Sequence, residues 1–322
     1  MTAVIGLAFP FFGLILLGFI AAKIWRVSED GLAWMNIFII YFALPALIYQ
    51  LVSKTPIERL ASVDFIFATL LGTYCAYAIS FAAGALASKG DIPESSIQGL
   101  AGAYGNIGYM GPGLALAVLG PDAAVPIALI FCFDNTLHFT MAPLMMAIGG
   151  QSKRPPLEIV LSVLKKIFTH PFILATIAGL IAAAIDFRPP TALDKLLNYL
   201  FNAAAPCALF AMGVTMALSP VTRFPPVMGV LIFIKLVVHP LIVWVLVSWV
   251  GDFSPVWIYT AILLASLPTA TNVFVIAQQY NVWTQRASSM VVLSTLASVV
   301  TVTALLYLMA SGLIPPDLFP AK

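Results

Sequence analysis

Charged side chains are scarce in this chain of 322 residues, where Asp, Glu, Lys and Arg together contribute only 9%. Soluble domains typically carry about 25% charged residues. The sequence is instead 61% hydrophobic, with a mean hydropathy of +1.04. A net charge of +2 without a long basic run also argues against a nucleic-acid partner. We therefore expect an integral membrane protein whose main partner is the lipid bilayer.

Cysteine and histidine are also scarce, with three residues of each. Cys75, Cys132 and Cys207 lie in apolar segments without metal-ligand spacing, which predicts small apolar side chains and neither a disulfide framework nor a zinc site. The histidines fall on separate segments, and the sequence has no Ser/His/Asp spacing typical of a nucleophile. We therefore expect no metal, no organic cofactor and no enzymatic activity.

Ten apolar segments approach the length of about 20 residues that a membrane-spanning helix needs. They cover approximately 4–24, 32–52, 65–87, 97–119, 125–148, 168–185, 193–218, 227–250, 256–278 and 287–313. The first segment lacks the basic leader of a signal peptide, so we expect it to be retained as a helix. The longest polar stretch, QSKRPPLEIVLSVLKK, predicts a cytoplasmic linker with an amphipathic lead-in.

The distribution of basic residues predicts the orientation of the chain. An outside N-terminus puts nine of them in inner loops, namely Lys23, Arg26, Lys89, Lys153, Arg154, Lys165, Lys166, Arg223 and Arg286. Five then lie outside, namely Lys54, Arg59, Arg188, Lys195 and Lys322. Because inner loops are richer in Lys and Arg, we expect both termini outside.

The two halves of the chain resemble each other. A shift of 161 residues aligns Pro10 with Pro171, Pro45 with Pro206 and Pro155 with Pro316, and it lays ALPALIY (43–49) on AAPCALF (204–210). This predicts a first five-helix repeat over 1–150, a linker over 151–167 and a second repeat over 168–322. Because five is an odd number, the second repeat is inverted relative to the first.

Two polar interruptions break otherwise apolar segments in corresponding places. They are AYGNIGYMGPG (103–113) in the fourth segment and SLPTATN (266–272) in the ninth. Glycine and proline weaken or break a helix, and broken backbone at membrane depth requires burial in protein or a watery cavity. Paired interruptions of this kind indicate the binding site of a secondary transporter.

The interruptions also suggest roles for their residues. Broken helices leave partial charges at their ends, so a carboxylate can be held without arginine. The candidate substrate-binding residues are Asn106 and Asn272 through their amides, Thr269 and Thr271 through their hydroxyls, Gly105, Gly108 and Gly111 through close backbone approach, and Pro112 and Pro268 by fixing the breaks. For Gly102 and Gly113 we favour simple close packing of helices.

Few ionisable residues fall inside the segments, and each is a candidate for ion coupling. Asp134 and His138 share one helical face in the fifth segment, with Asn135 beside them. Lys235 and His239 have the same spacing in the eighth segment. The first pair has two open interpretations. It either couples transport to H⁺ or Na⁺, or it is an intrahelical pair in which each buried polar group serves only as the partner of the other. For the second pair we favour a structural role, in which the lysine pairs with a carbonyl or snorkels. We expect His170, just before Pro171, to lie at the membrane interface.

Three motifs, YGNIGYMGPGLALAVLG, SLPTATNVFVIAQQYNV and VVLSTLASVVTVTALL, resemble the auxin efflux carrier family, which includes plant PIN exporters and bacterial organic-acid permeases, some associated with malonate. The resemblance implies an all-α fold like that of bile-acid symporters and the sodium/proton antiporter NhaA. In that fold ten transmembrane helices form two inverted five-helix repeats with broken, crossing fourth and ninth helices. It also implies elevator-type movement, a homodimer, and substrate contacts at Asn106, Pro112, Pro268 and Asn272. The chain lacks a long hydrophilic central loop, and in this it resembles the short bacterial members of the family. This resemblance implies a location in the bacterial inner membrane.

The sequence therefore predicts a secondary transporter of a small organic anion. One alternative is a sodium/proton-type exchanger without organic substrate, which should need more intramembrane carboxylates than Asp134. Another is a non-transporting membrane sensor, although no signalling domain is attached.

Overall fold

The computed structural model describes residues 2–56, 62–151, 157–158, 161, 164–165, 168–219 and 225–319. Within these ranges the regular structure is helical, apart from one isolated backbone bridge. The prediction of an all-helical protein is therefore confirmed. The predicted linker with its amphipathic lead-in lies largely outside the described residues. So do six of the basic residues used to predict orientation, namely Arg59, Lys153, Arg154, Lys166, Arg223 and Lys322.

Fourteen α-helices follow one another in the part of the chain that is described. They are α1 (Thr2–Trp25), α2 (Glu29–Phe38), α3 (Leu44–Ser53), α4 (Val63–Ala87), α5 (Ile92–Ala103), α6 (Gly111–Leu119), α7 (Ala124–Ile148), α8 (Pro171–Ala184), α9 (Thr191–Leu218), α10 (Pro226–Phe233), α11 (His239–Val250), α12 (Pro255–Ala265), α13 (Thr271–Tyr280) and α14 (Thr284–Ala310). Single π-helical turns, Ile39–Ala43 and Ile234–Val238, join α2 to α3 and α10 to α11.

Six helical stretches are long and apolar enough to cross a membrane, counted over the described residues. These are Asp30–Ser53, Val63–Ala87, Pro121–Ile148, Thr191–Leu218, Pro226–Val250 and Thr284–Ala310. Large apolar side chains stay on the surface of the chain, for example Trp34 at 75% and Tyr199 at 74% exposure. Extensive exposed apolar surface marks a membrane-facing protein. The chain is thus a multi-pass membrane protein, while the predicted number of ten crossings stays a prediction.

Proline and polar caps determine where several helices begin. Asp91 precedes α5, and its carboxylate accepts a hydrogen bond from the Glu94 backbone N–H at 2.8 Å. Such an N-cap satisfies one of the amides that the first turn leaves unpaired. The two π turns are each closely followed by a proline, Pro45 and Pro240. Because proline has no N–H and its ring clashes with the preceding turn, a widened turn fits there.

Glycines allow a close contact between α1 and α9. A Cβ atom on Gly18 would lie 2.0 Å from the Phe210 carbonyl oxygen, and one on Gly213 would lie 1.9 Å from the Ile15 carbonyl oxygen. Neither position therefore has space for a side chain, and the missing side chains let the two helix backbones approach each other. Such close packing through small residues is typical of helices in membranes.

The buried apolar side chains form two main clusters, and both interruptions pass between them. The first interruption contributes Tyr104 to one cluster and Ile107 and Met110 to the other. The second interruption likewise contributes Leu267 and Ala270 to different clusters. The broken backbone is therefore enclosed by protein, as non-helical backbone at membrane depth requires.

Candidate functional site

The two interruptions meet and pair through their backbones. The Asn106 N–H donates to the Pro268 carbonyl at 2.7 Å, and the Ala270 N–H donates to the Tyr104 carbonyl at 2.9 Å. Between these bonds, Gly105 and Thr269 form an isolated antiparallel bridge. Each break thereby supplies partners for polar groups that the other break leaves unpaired. This exchange satisfies backbone groups that lipid could not.

Thr269 anchors this bridge from the inside. Its hydroxyl donates to the Ala101 carbonyl at 2.7 Å, and its backbone N–H donates to the Ser294 hydroxyl at 3.1 Å. The residue is fully buried. Thr269 was predicted to offer its hydroxyl to a substrate, but the structure shows that hydroxyl engaged with a helix carbonyl. Its position indicates that it fixes the geometry of the breaks.

Gly105 allows a close approach behind the bridge. A Cβ atom there would lie 3.3 Å from both the Leu264 carbonyl oxygen and the Lys235 Nζ. Packing elsewhere agrees with the predictions for two other glycines. A Cβ on Gly102 would overlap the Ser80 hydroxyl, and one on Gly113 would lie 2.6 Å from the Ala205 Cβ.

A small cavity of about 60 Å³ lies against the paired breaks. One set of lining residues comes from the breaks and the start of α13, namely Tyr104, Gly105, Asn106, Gly108, Tyr109, Ala270, Thr271 and Asn272. The others are Ile40 from the π turn before α3, Leu44 from α3, Phe131 and Asn135 from α7, and His170 and Phe172 from the start of α8. Pockets for drug-sized ligands measure about 300–1,000 Å³, so this cavity fits a much smaller molecule.

A tyrosine hydroxyl holds two amides in place at the cavity. The Tyr104 hydroxyl donates to Asn135 Oδ1 at 2.5 Å and accepts from Asn272 Nδ2 at 2.8 Å. Asn135 Nδ2 in turn donates to the Phe131 carbonyl at 2.6 Å. Because each member restrains the next, the two asparagines present their amides in one orientation. Fully satisfied networks of this kind make a polar site rigid.

Asn106 lies where the first break turns into α6, and it is 2% exposed. Its Oδ1 accepts from the Tyr109 backbone N–H at 3.3 Å, which stabilises the turn. Its Nδ2 lies 3.0 Å from the Met212 sulfur on α9. A thioether is only a weak acceptor, so this amide N–H can exchange the sulfur for a stronger acceptor such as a carboxylate.

The half-helix ends give the cavity its electrostatic character. Helix α13 begins at Thr271, and both Thr271 and Asn272 line the cavity. Helix α6 begins at Gly111, just beyond the lining residues Gly108 and Tyr109. The start of a helix carries roughly half a positive charge because its first N–H groups are unpaired. None of the described residues that line the cavity is acidic, so its polarity favours an anion.

A second polar cluster lies behind the breaks and contains the ion-coupling candidates. Lys235 is fully buried in the π turn, and its ammonium donates to the Ala265 carbonyl at the end of α12 at 2.5 Å. It also lies 3.1 Å from His239 Nδ1. The Thr73 hydroxyl lies 3.3 Å from His239 Nε2 and donates to Asp134 Oδ2 at 3.1 Å. The cluster thus extends from Asp134 to the carbonyl end of a half-helix.

The predicted pair of Asp134 and His138 separates in the structure. Asp134 bonds to Thr73, whereas the His138 ring stacks on Tyr104 with 4.0 Å between the ring centroids. Both ring nitrogens of His138 are buried without a hydrogen-bond partner among the described residues. Lys235 does pair a carbonyl, as its structural interpretation predicted.

The structure brings most of the predicted substrate-binding residues to one place. Gly105, Asn106, Gly108, Thr271 and Asn272 line the cavity, together with Asn135 from the ion-coupling set. Gly111 and Pro112 open α6, and Pro268 accepts the Asn106 N–H, so these three support the site from outside its lining.

Sequence reasoning missed the aromatic, aliphatic and histidine walls of the cavity, namely Ile40, Leu44, Tyr104, Tyr109, Phe131, His170 and Phe172. The two tyrosines lie inside the glycine-rich motif, which was the signal available for them. His170 caps α8 just before Pro171. Within the described ranges, no group of three His, Cys, Asp or Glu side chains could hold a metal ion.

Comparison with known proteins decides the family. The chain matches the family of membrane transport proteins that contains the auxin efflux carriers, over residues 3–306. The chain belongs to this family. Among its relatives in the membrane transport protein family, a protein of Rhizobium meliloti named "Putative malonate transporter" is 53% identical over 320 residues, which cover 99% of this chain and all of the relative.

More distant relatives of this chain match along most of their length. The "Uncharacterized transporter YfdV" of Escherichia coli is 24% identical over 316 residues, covering 95% of this chain and 98% of the relative. An "Uncharacterized transporter" of Methanothermobacter thermautotrophicus is 24% identical over 298 residues, covering 89% and 92%. The chain is therefore a membrane transporter, and the resemblance seen in its motifs is confirmed.

Proposed function

We propose that the protein is a secondary active transporter of a small organic anion, which binds through a carboxylate in the cavity at the paired breaks. The observation that carries this proposal is the convergence of helix starts and oriented amides on a cavity whose described lining includes no acidic side chain. The Asn106 and Asn272 amides supply donors, and the starts of α6 and α13 supply partial positive charge. Such a site binds an anion although no lysine or arginine is among its described lining residues.

The size of the cavity supports a substrate with few carbon atoms. A water-sized group needs roughly 10–15 Å³ of such a space, so about 60 Å³ corresponds to about four to six such groups, which is nearer to a three-carbon acid than to an auxin. The relative at 53% identity bears a name that refers to malonate. We therefore propose a malonate-like carboxylate in preference to an auxin-sized one.

For the architecture, we propose ten transmembrane helices in two inverted five-helix repeats, over residues 1–150 and 168–322, whose broken helices cross at the cavity. The 161-residue self-similarity and the reciprocal backbone bonds between the two breaks support this arrangement. An elevator-type movement would then carry the breaks past the helices that complete the cavity wall. We place the protein in the bacterial inner membrane with both termini outside, as a homodimer.

For coupling, we propose that H⁺ or Na⁺ acts through Asp134. This carboxylate is buried within a described membrane span and lies at the end of the cluster that reaches the back of the breaks. Intramembrane carboxylates are costly to bury and commonly mark ion pathways. The same cluster would serve a sodium/proton exchanger, which is the second candidate function.

Flux through purified protein in liposomes tests the proposal. We expect saturable uptake of labelled malonate that other small carboxylates inhibit and that protein-free liposomes do not show. Sodium or proton flux without any organic-acid flux would support the exchanger instead. Silence in both assays, with protein of normal thermal stability, would favour a membrane sensor.

A further inference from the structure

Among the described residues that line the cavity, only His170 has a side chain that carries a full positive charge when protonated. It comes from the turn before α8, whereas the anion-binding groups come from the breaks. Its side chain is only partly buried. The cavity wall therefore contains two separate sources of N–H donors, contributed by different elements of the fold.

The contacts of His170 determine which ring nitrogen carries the proton. Nδ1 accepts the Phe172 backbone N–H at 3.4 Å and so caps α8. A nitrogen that accepts a hydrogen bond carries no proton, so the proton of the neutral ring lies on Nε2. Phe139 and Phe172 flank the ring, with centroids 5.1 Å and 4.7 Å away. The imidazole is thus held in position with Nε2–H as its available donor.

We propose that His170 is a specificity-determining residue that donates Nε2–H to a second carboxylate of the substrate, and so selects dicarboxylates over monocarboxylates. The first carboxylate occupies the helix starts and amides of the breaks. The same cavity is also lined by three apolar side chains, Ile40, Leu44 and Phe131, which suit the short methylene spacer of a small dicarboxylate. A monocarboxylate of similar length cannot make this hydrogen bond to the histidine, which lowers its affinity relative to the dicarboxylate.

This inference rests on the proposed function and is tested by comparing two acids in three proteins. Wild-type protein, His170→Asn and His170→Gln are reconstituted, and KM is measured for malonate and for propionate, which lacks the second carboxylate. Asparagine keeps a helix-capping oxygen near the backbone but is too short to present a donor at the Nε2 position. Glutamine is longer and keeps a donor close to that position.

We expect His170→Asn to raise the KM for malonate by about tenfold or more, the usual weight of a hydrogen bond to a charged group. The KM for propionate should stay unchanged, and His170→Gln should recover much of the malonate affinity. Equal effects of His170→Asn on both acids, or no effect on either, would overturn the inference while leaving organic-anion transport intact. If wild-type protein transports neither acid, the proposed function itself fails.

Discussion

Gly108 offers a direct test of the cavity, because alanine at this position adds a methyl group to its wall. The new Cβ would lie 3.5 Å from Phe131 Cε2, an ordinary van der Waals contact, so the substitution requires no backbone movement. The cavity measures only about 60 Å³, and a methyl group takes a substantial part of that space. Crowding of a well-packed site costs about 1–3 kcal/mol, which corresponds to about a 5- to 150-fold rise in KM.

Gly111 supplies the matched control. A Cβ there would meet its nearest neighbours, Leu264 and Leu267, at 3.6 Å, yet Gly111 does not line the cavity. Malonate uptake into liposomes should therefore show a raised KM for Gly108→Ala and a near wild-type KM for Gly111→Ala, with similar melting temperatures for both. Equal KM values for the two variants would refute the assignment of the substrate to this cavity.

Three further substitutions test other parts of the account. Tyr104→Phe removes the hydroxyl between two amides and should raise KM by about tenfold, since leaving buried polar groups unpaired costs about 1–3 kcal/mol; unchanged uptake would show that the amides need no such alignment. Gly18→Ala places a Cβ 2.0 Å from the Phe210 carbonyl and should lower the melting temperature, while Gly6→Ala, with nothing within 4 Å, should not; equal melting curves would contradict the α1–α9 packing. Asp134→Asn should flatten the dependence of malonate uptake on pH or sodium, and an unaltered dependence would leave Asp134 a structural role.

The two breaks were predictable from the sequence because glycine, proline and asparagine are conspicuous in apolar segments. The 161-residue shift also carries Asn106 to Leu267, next to Pro268, so the sequence predicts that the two breaks occupy corresponding positions in the two halves, but not that they pair. In the structure the Asn106 N–H bonds to the Pro268 carbonyl. Glycine, proline and the length of an apolar run act locally on where a helix begins and ends. For this reason most predicted segments begin and end within a few residues of the helices in the structure.

The walls of the cavity were not predictable in the same way. His170 and Leu44 are distant in sequence from the breaks, and only tertiary packing brings them to the same space. Asp134 and His138 have the spacing of a helical pair, yet they do not pair with each other. Asp134 accepts a hydrogen bond from a threonine on α4, and His138 stacks on a tyrosine of the first break. Periodicity identifies a shared face but does not identify the neighbour that the face meets.

Ligand-induced stabilisation of wild-type protein and Asn106→Ala tests the central claim most directly. The claim is that a carboxylate binds at the paired breaks, where the Asn106 amide has only a methionine sulfur as the partner of its nitrogen. At 100 times Kd, a bound ligand stabilises the folded state by about 2.7 kcal/mol. Malonate should raise the melting temperature of the wild type, and this rise, measured against each protein's own ligand-free melting temperature, should be lost in Asn106→Ala. An equal rise in both proteins would contradict the claim.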